Sequence, residues 1–153
     1  MEKEEFTELV LAYQRSMYRF ALGLLKNEQN AEDALSTAII KAYEHLASLR
    51  DKDKFKSWIM SIITNEAKNM LSKNSRIQLV DDVAIFREEV EENQNRIWDS
   101  VMELGEQHRQ IVLLYYYDGF STKEIARILK VPEGTVKSRL SRARQNLKEI
   151  LSL

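Results

Sequence analysis

Basic side chains are concentrated in the segment PEGTVKSRLSRAR, residues 132–144, which contains four Lys and Arg residues. Arginine can bind guanine through two parallel hydrogen bonds, whereas lysine, serine and threonine contact mainly phosphate oxygens. Gly134 removes a side chain where a phosphate backbone could approach, and a helix that starts there favours anions electrostatically. The residue types therefore favour contact with DNA, and the alternative is the solvated face of an ordinary helix.

The surrounding residues predict a helix-turn-helix. Ser121 and Glu124 have the spacing of a capping box, which predicts a short helix over 121–130. Val131 and Pro132 end this helix and start the last one, because proline is tolerated at the first helical position and disfavours a helical residue before it. An arc of about 100° on the last helix is apolar and must be buried. It contains Val136, Leu140, Ala143, Leu147, Ile150 and Leu151.

The charge of the chain is divided unevenly along its length. The net charge is −1 over 153 residues, but residues 119–153 carry 8 Lys and Arg against 3 Asp and Glu, a net of +5. Residues 77–118 carry 3 against 10, a net of −7, and residues 1–76 carry 12 against 11, a net of +1. A basic C-terminal block beside an acidic middle indicates that one end of the chain meets a polyanion.

Three amphipathic helices are predicted in residues 1–76. Apolar residues recur at helical spacing over three segments, 6–25, 34–49 and 55–71. We expect Asn30 to cap the second helix and Tyr43 and Trp58 to belong to the buried stripes. Three such stripes can enclose one core, so this region predicts a compact helical domain.

Residues 77–93 are predicted to be a linker, because they lack a sustained helical stripe and contain six acidic residues against one basic residue. A short extra helix is the alternative for this segment. The helical period resumes after it with Ile97, which we expect to be buried, and a later helix ends at Gly119. Residues 94–153 thus predict a second helical domain, and we expect the three tyrosines at 115–117 to pack in its core.

Several classes of protein are disfavoured by composition. The chain has no cysteine, and its two histidines, His45 and His108, lack metal-ligand spacing, so each is expected at the surface or at a helix cap. Neither a glycine-rich phosphate loop nor a nucleophile-elbow motif occurs, which argues against an enzyme. No secretory signal begins the chain, and no run approaches the roughly 18–20 apolar residues that cross a bilayer, so we expect a cytoplasmic protein.

The chain resembles the extracytoplasmic-function (ECF, group IV) sigma factors of bacteria, which direct RNA polymerase to promoters. The segment GFSTKEIARILKVPEGTVKSRLSRARQNLKEIL (119–151) is similar to sigma region 4. The segments NAEDALSTAIIKAYEHL (30–46) and FKSWIMSIITNEAKNML (55–71) are similar to region 2. The resemblance implies an all-α chain with two small domains, region 2 in 1–76 and region 4 in 94–153.

The resemblance also implies roles for individual residues. Four residues of the second helix would dock on the clamp coiled coil of core RNA polymerase, namely Asp33, Thr37, Lys41 and Glu44. The −10 element would be opened and bound by Arg50, Lys52, Lys54, Lys56, Asn65, Lys68, Asn69, Lys73 and Arg76. The −35 element would be read by Glu133, Gly134, Thr135, Lys137, Ser138, Arg139, Ser141 and Arg142. Residues 104–118 would hold the flap tip of the polymerase.

Partners and rival functions follow from the same comparison. The family implies an anti-sigma factor, often tethered to the membrane, which covers the polymerase-binding surfaces. It implies no cofactor. A stand-alone helix-turn-helix regulator is the main alternative, since its DNA-binding helices look much like 121–151. A helical interaction module that only mimics a sigma factor is another. The first domain distinguishes these hypotheses, because it resembles a polymerase-binding unit and no sensor domain.

Overall fold

The computed structural model describes residues 1–74 and 92–152, which form helices and turns and no β-strand. These residues belong to two compact units. Unit 1 contains α1 (Lys3–Leu25), α2 (Glu28–Glu44) and α3 (Phe55–Asn74), with two short 3₁₀ turns at Leu46–Ser48 and Lys52–Lys54. Unit 2 contains α4 (Glu92–Met102), α5 (Glu106–Val112), α6 (Thr122–Leu129) and α7 (Glu133–Ser152). Most of the predicted linker, residues 77–91, lies outside the described residues.

The core of unit 1 lies where α1, α2 and α3 pack against each other. Phe55 is fully buried at the start of α3, and its ring centroid lies 6.0 Å from that of Phe6 and 6.1 Å from that of Tyr13. The buried positions of α2 are almost all alanines, which allow the neighbouring helices to approach closely. They are Ala31, Ala34, Leu35, Ala38 and Ala42. The predicted three-helix core is confirmed.

The boundary between α1 and α2 corrects one prediction. Asn27, not Asn30, is the N-cap of α2, because the Asn27 side chain accepts a hydrogen bond of 2.8 Å from the backbone N–H of Asn30. Lys26 before it adopts a left-handed backbone with φ of 55°, which ends α1. Asn27 and Asn30 both have side chains that suit an N-cap. Because α1 already ends at Leu25, α2 can begin at Glu28, which makes Asn27 the cap.

Tyr43 was also expected in the buried stripe of α2, and it is 48% exposed. Its ring packs on Phe6 with centroids 5.6 Å apart, so only one side of the ring is covered. The prediction failed because α2 ends at Glu44, so that Tyr43 lies on its last turn, where less of the helix surface is enclosed.

The core of unit 2 collects apolar side chains from all four of its helices. Its fully buried members include Val101, Ile111, Leu114, Ile125 and Val136. Ile97 was expected here and is 43% exposed, whereas Trp98 is buried, with its ring edge-to-face with Tyr117 at 5.6 Å. The larger side chain occupies the core, and the helical register of α4 then leaves its neighbour outside.

Caps and turns fix the helix-turn-helix as predicted. α5 continues as a π-helical turn over Leu113–Tyr117, and Gly119 then takes a φ of +73°, a conformation that glycine adopts without strain. Ser121 and Glu124 form the reciprocal capping box at the start of α6. The turn to α7 begins at Lys130, whose backbone is left-handed with φ of 58°.

The Phe55 cluster should carry much of the stability of unit 1. Replacing Phe55 by Ala removes a ring with no exposed surface, and we expect unfolding of unit 1 to become easier by about 3–5 kcal/mol. Urea unfolding followed by tryptophan fluorescence measures this, in a Trp98→Phe background so that Trp58 is the reporter. Leu11→Ala is the matched control, because Leu11 is 65% exposed and its loss should cost about 0.5 kcal/mol or less. Equal effects of the two substitutions would contradict the assignment of the core.

Candidate DNA and polymerase interfaces

The residues predicted to read the −35 element share one end of α7. Val136, Leu140 and Ala143 are buried, so this side of the helix is held against the rest of unit 2. The remaining surface, which we call the basic face, displays the predicted residues. Gly134, Lys137, Ser138, Ser141 and Arg142 are exposed, whereas Glu133, Thr135 and Arg139 are half-buried. The structure therefore brings all eight residues onto the first three turns of one helix.

Glu133 joins the two helices of the helix-turn-helix. Its Oε2 accepts a hydrogen bond of 2.8 Å from the hydroxyl of Thr122 on α6 and lies 3.7 Å from Nζ of Lys137. The hydrogen bond from Thr122 and the nearby Lys137 ammonium lower the pKa of the Glu133 carboxyl below its usual range. This carboxylate fixes the spacing between α6 and the start of α7, a role that the sequence alone did not indicate.

Arg144, two residues after Arg142 on α7, contacts aromatic side chains of the π-helical turn that follows α5. Its Nε donates a hydrogen bond of 2.5 Å to the hydroxyl of Tyr116, and its guanidinium carbon lies 5.5 Å from the ring centroid of Tyr115. The hydrogen bond raises the pKa of Arg144 above its usual value. The prediction that the three tyrosines pack in the core was wrong for Tyr116, which is 53% exposed, whereas Tyr115 and Tyr117 are half-buried. Arg144 and Tyr116 lie 28 positions apart, and no periodic pattern connects them.

The residues predicted to bind polymerase form one exposed stripe on α2. Asp33, Thr37, Lys41 and Glu44 are all exposed, at spacings of four, four and three residues. We call this stripe the docking face. It lies opposite the buried alanines of α2, so packing of the helix into unit 1 determines which side is displayed.

The residues predicted for the −10 element lie in two parts of unit 1, which together we call the −10 surface. The segment before α3 supplies Arg50, Lys52 and Lys54, and α3 supplies Lys56 in its first turn and Asn65, Lys68, Asn69 and Lys73 further along. Arg76 lies outside the described residues. Two of the lysines are already engaged. Lys52 forms an ion pair with Glu5, which raises the pKa of Lys52 and lowers that of Glu5, and Lys56 lies 5.6 Å from the ring centroid of Tyr13.

An open cavity of about 540 Å³ lies between the end of α2 and the middle of α3. It is lined by Lys41, His45 and Ser48 on one side and by Trp58, Ile62, Asn65, Glu66, Lys68 and Asn69 on the other. Trp58 was expected in the core, and this was wrong, because its side chain is only half-buried and faces this cavity. The core position at this point of α3 is taken by Ile59 instead. Sequence spacing could not separate these adjacent residues.

Lys41 belongs to both the docking face and the cavity. Its Nζ contacts Oε1 of Glu66, which ties α2 to α3 across the mouth of the cavity. The Glu66 side chain is only 12% exposed, whereas that of Lys41 is 47% exposed. Glu66 was not among the residues predicted from sequence, because a single acidic residue among polar neighbours carries no pattern.

The two histidines lie in ordinary helix contacts. His45 is exposed at the C-terminal cap of α2, where its Nδ1 lies 2.9 Å from the carbonyl oxygen of Lys41, as predicted. His108 is half-buried, and its Nδ1 lies 3.1 Å from Nδ2 of Asn146. Within residues 1–74 and 92–152, no group of three His, Asp or Glu side chains is arranged to hold a metal ion. None of the helices in these residues is both long enough and apolar enough to span a bilayer.

Comparison with known proteins matches both units to one family. The family model for sigma-70 region 2 matches residues 9–77, and that for sigma-70 region 4 matches residues 94–147. The ECF RNA polymerase sigma-E factor of Haemophilus influenzae is 30% identical, with 94% of this chain and 86% of that protein covered. The ECF RNA polymerase sigma factor SigW of Bacillus subtilis is 28% identical, with 98% and 90% covered.

Solved structures agree with this assignment. The sigma factor RpoE of Bartonella quintana, crystallised with the anti-sigma factor NepR, has a TM-score of 0.88 at 26% identity, covering 98% of each chain. CnrH, in complex with the cytosolic domain of CnrY, has a TM-score of 0.72 at 22% identity, covering 99% of this chain and 90% of that one, and shares the fold. With both sigma regions matched in order along one helical chain, this protein belongs to the extracytoplasmic-function sigma factors of the sigma-70 family.

Proposed function

We propose that this sigma factor binds core RNA polymerase through the docking face and directs it to promoters at two DNA elements. The observation that supports this most strongly is the docking face itself, four exposed polar residues displayed by a helix whose other side is buried. Residues 104–118 would meet the flap tip, and Tyr116, exposed beside Arg144, offers an aromatic contact there. The polymerase supplies the chemistry, and the chain carries no catalytic activity of its own.

We assign the two promoter elements to different domains. Residues 1–76 would bind core polymerase and open the −10 element, residues 94–153 would read the −35 element, and residues 77–93 would join them. The basic face of α7 suits a major groove because its small and hydrogen-bonding residues lie at the start of the helix. Apart from Gly134 itself, its chain neighbours and the nearby backbone of its own helix, nothing lies within 4 Å of where a Cβ on Gly134 would be, so a phosphate backbone could approach.

Single-stranded DNA at the −10 element would be bound by the −10 surface. Its lysines would follow the phosphate backbone, while the cavity beside Trp58 would take an unstacked base. Asn65 and Asn69 at the cavity can donate and accept hydrogen bonds to base edges, and the half-buried indole of Trp58 offers an aromatic surface. Contacts of this kind would offset the loss of stacking when the promoter opens.

Regulation by an anti-sigma factor is part of this proposal. The solved relatives RpoE and CnrH were crystallised with NepR and with the cytosolic domain of CnrY, respectively. A partner of this kind would cover the docking face and hold the chain inactive, in some cases at the membrane. Released, the sigma factor would act in the cytoplasm, on the nucleoid. The match to region 2 favours this function over a stand-alone helix-turn-helix regulator.

Transcription should depend on core polymerase. We expect run-off transcripts from a subset of genomic promoter fragments only when the protein and core polymerase are both present, and weak binding of these fragments by the protein alone. Run-off transcription and electrophoretic mobility shift on the same fragments measure both quantities. Tight DNA binding by the protein alone, with no core-dependent transcript from any fragment, would contradict the proposal.

Placing a charge on the docking face should weaken polymerase binding. Thr37→Arg puts a long cationic side chain in the middle of the face, between Asp33 and Lys41, and we expect the affinity for core polymerase to fall by about tenfold or more because the added bulk and charge disturb the contact. Gln14→Arg adds the same charge at an exposed position of α1 and should bind as the parent does. Competition with a labelled sigma factor for core polymerase measures both. The assignment fails if Thr37→Arg competes as well as the parent.

Substitutions on the basic face should separate base reading from phosphate contact. Arg139→Ala should cost about 1–3 kcal/mol on the preferred −35 sequence and relax its specificity, if the guanidinium binds a base edge. Lys137→Ala should weaken all −35 sequences alike and make the salt dependence shallower by about one unit of slope.

The measurement is holoenzyme binding to promoter duplexes over a range of salt concentrations. Lys148→Ala removes the same charge near the far end of α7, where it is exposed, and serves as the control. If Lys137→Ala and Arg139→Ala both behave like Lys148→Ala, the reading surface of α7 lies elsewhere.

A further inference from the structure

The cavity of unit 1 contains one acidic side chain among the described residues that line it, Glu66. Its carboxylate lies on α3 beside Asn65 and close to Lys68 in sequence, within the −10 surface. A carboxylate at this place opposes DNA binding through its charge, because phosphates must pass nearby. Lys41 offsets that charge through its contact with Oε1, so the site can accept a nucleotide without a net negative charge at the cavity mouth.

The second oxygen of Glu66 remains available. Lys41 contacts Oε1, and Oε2 has no protein partner among residues 1–74 and 92–152. Since the side chain is only 12% exposed and its other oxygen is held, Glu66 presents Oε2 in a restricted orientation. An ionised carboxylate only accepts hydrogen bonds, so this oxygen favours a ligand that offers an N–H group.

We propose that Glu66 is a specificity-determining residue that selects a base with an exocyclic amine in the cavity. This inference rests on the proposed capture of an unstacked −10 base. Cytosine, adenine and guanine each carry an amino group that can donate to a carboxylate, as acidic side chains do with cytosine N4. Thymine has no amino group, and its single N–H lies between two carbonyl oxygens that an anion repels. Thymine is therefore the disfavoured base.

Transcription from premelted templates tests this directly. The templates carry a promoter found by the run-off assay, with an unpaired bubble at the −10 element, so that differences in melting do not contribute. Each non-template position in the bubble is varied in turn through all four bases. At one position, thymine should lower the transcript yield by about tenfold relative to the best amine-bearing base.

Glu66→Gln should remove this discrimination. The amide has nearly the same shape, but Lys41 can only donate and so favours the amide oxygen on its side. The NH₂ group then faces the cavity, where it can donate to a thymine carbonyl, so the thymine penalty should fall to about twofold or less. Yields on the amine-bearing templates report that the variant is folded and active. Glu32→Gln changes the charge equally at an exposed position of α2 and should keep the tenfold penalty.

Three outcomes would overturn the proposal. If the parent protein transcribes all four bases equally at every position, the cavity does not select an amine. If Glu66→Gln keeps the thymine penalty, another residue is responsible. In both cases core-dependent transcription persists, so the proposed function stands. If no template gives a core-dependent transcript, the proposed function itself has failed, and this inference fails with it.

Discussion

Burial of one face of each interface helix is the constraint on which the rest of this structure depends. α7 inserts Val136, Leu140 and Ala143 into unit 2, and this alone determines that Lys137 and Arg142 face outward. α2 does the same in unit 1 with a row of buried alanines, and the docking face is what remains. Each helix thus contributes one face to the core and the other face to an interface. Rotating either helix about its axis would expose its apolar residues and bury its interface residues.

Several lysines at these surfaces form ion pairs with carboxylates of their own unit. Three of the lysines assigned to DNA or polymerase contact carboxylates of their own unit, in the pairs Lys41–Glu66, Lys52–Glu5 and Lys137–Glu133. The two exposed pairs, Lys52–Glu5 and Lys137–Glu133, contribute little free energy, so phosphates or a protein partner can replace their carboxylates at small cost. Lys41–Glu66 differs, because the Glu66 side chain is only 12% exposed. The three pairs also reduce the positive charge that the free protein offers to DNA, in a chain whose net charge is −1. This is a physical basis for the proposed dependence on core polymerase.

Sequence reasoning succeeded where a periodic pattern or a cap fixes the backbone. The capping box at Ser121 and the stop at Gly119 are found as expected. Of the six residues in the predicted arc of α7, Val136, Leu140 and Ala143 are buried, whereas Leu147, Ile150 and Leu151 near the end of the helix are only half-buried. Sequence reasoning failed where it had to decide which of two adjacent apolar residues is buried. Trp98 rather than Ile97 enters the core of unit 2. In α3 both Trp58 and Ile59 were expected in the buried stripe, and only Ile59 is buried, because the outcome depends on the opposing helices. Periodicity specifies a face to within about one residue and no further.

Contacts between distant positions were beyond prediction for a different reason. The Lys41–Glu66 pair joins residues 25 positions apart, and Arg144 meets Tyr116 across 28 positions. Neither pair leaves a signal in the local sequence, because the contact exists only after the helices have packed. Family resemblance did not supply them either, since the roles it implies are contacts with DNA and polymerase, whereas the cavity and its carboxylate depend on contacts between side chains within this chain.

The central claim is that this chain binds a promoter at two elements, one with each domain, and that core polymerase holds the two domains at a fixed spacing. Inserting five base pairs between the −35 and −10 elements of a promoter turns one element about half a helical turn away from the other. The account predicts that core-dependent transcription from this template is lost, while the same promoter without the insertion remains active. Undiminished transcription from the template with the insertion would contradict it.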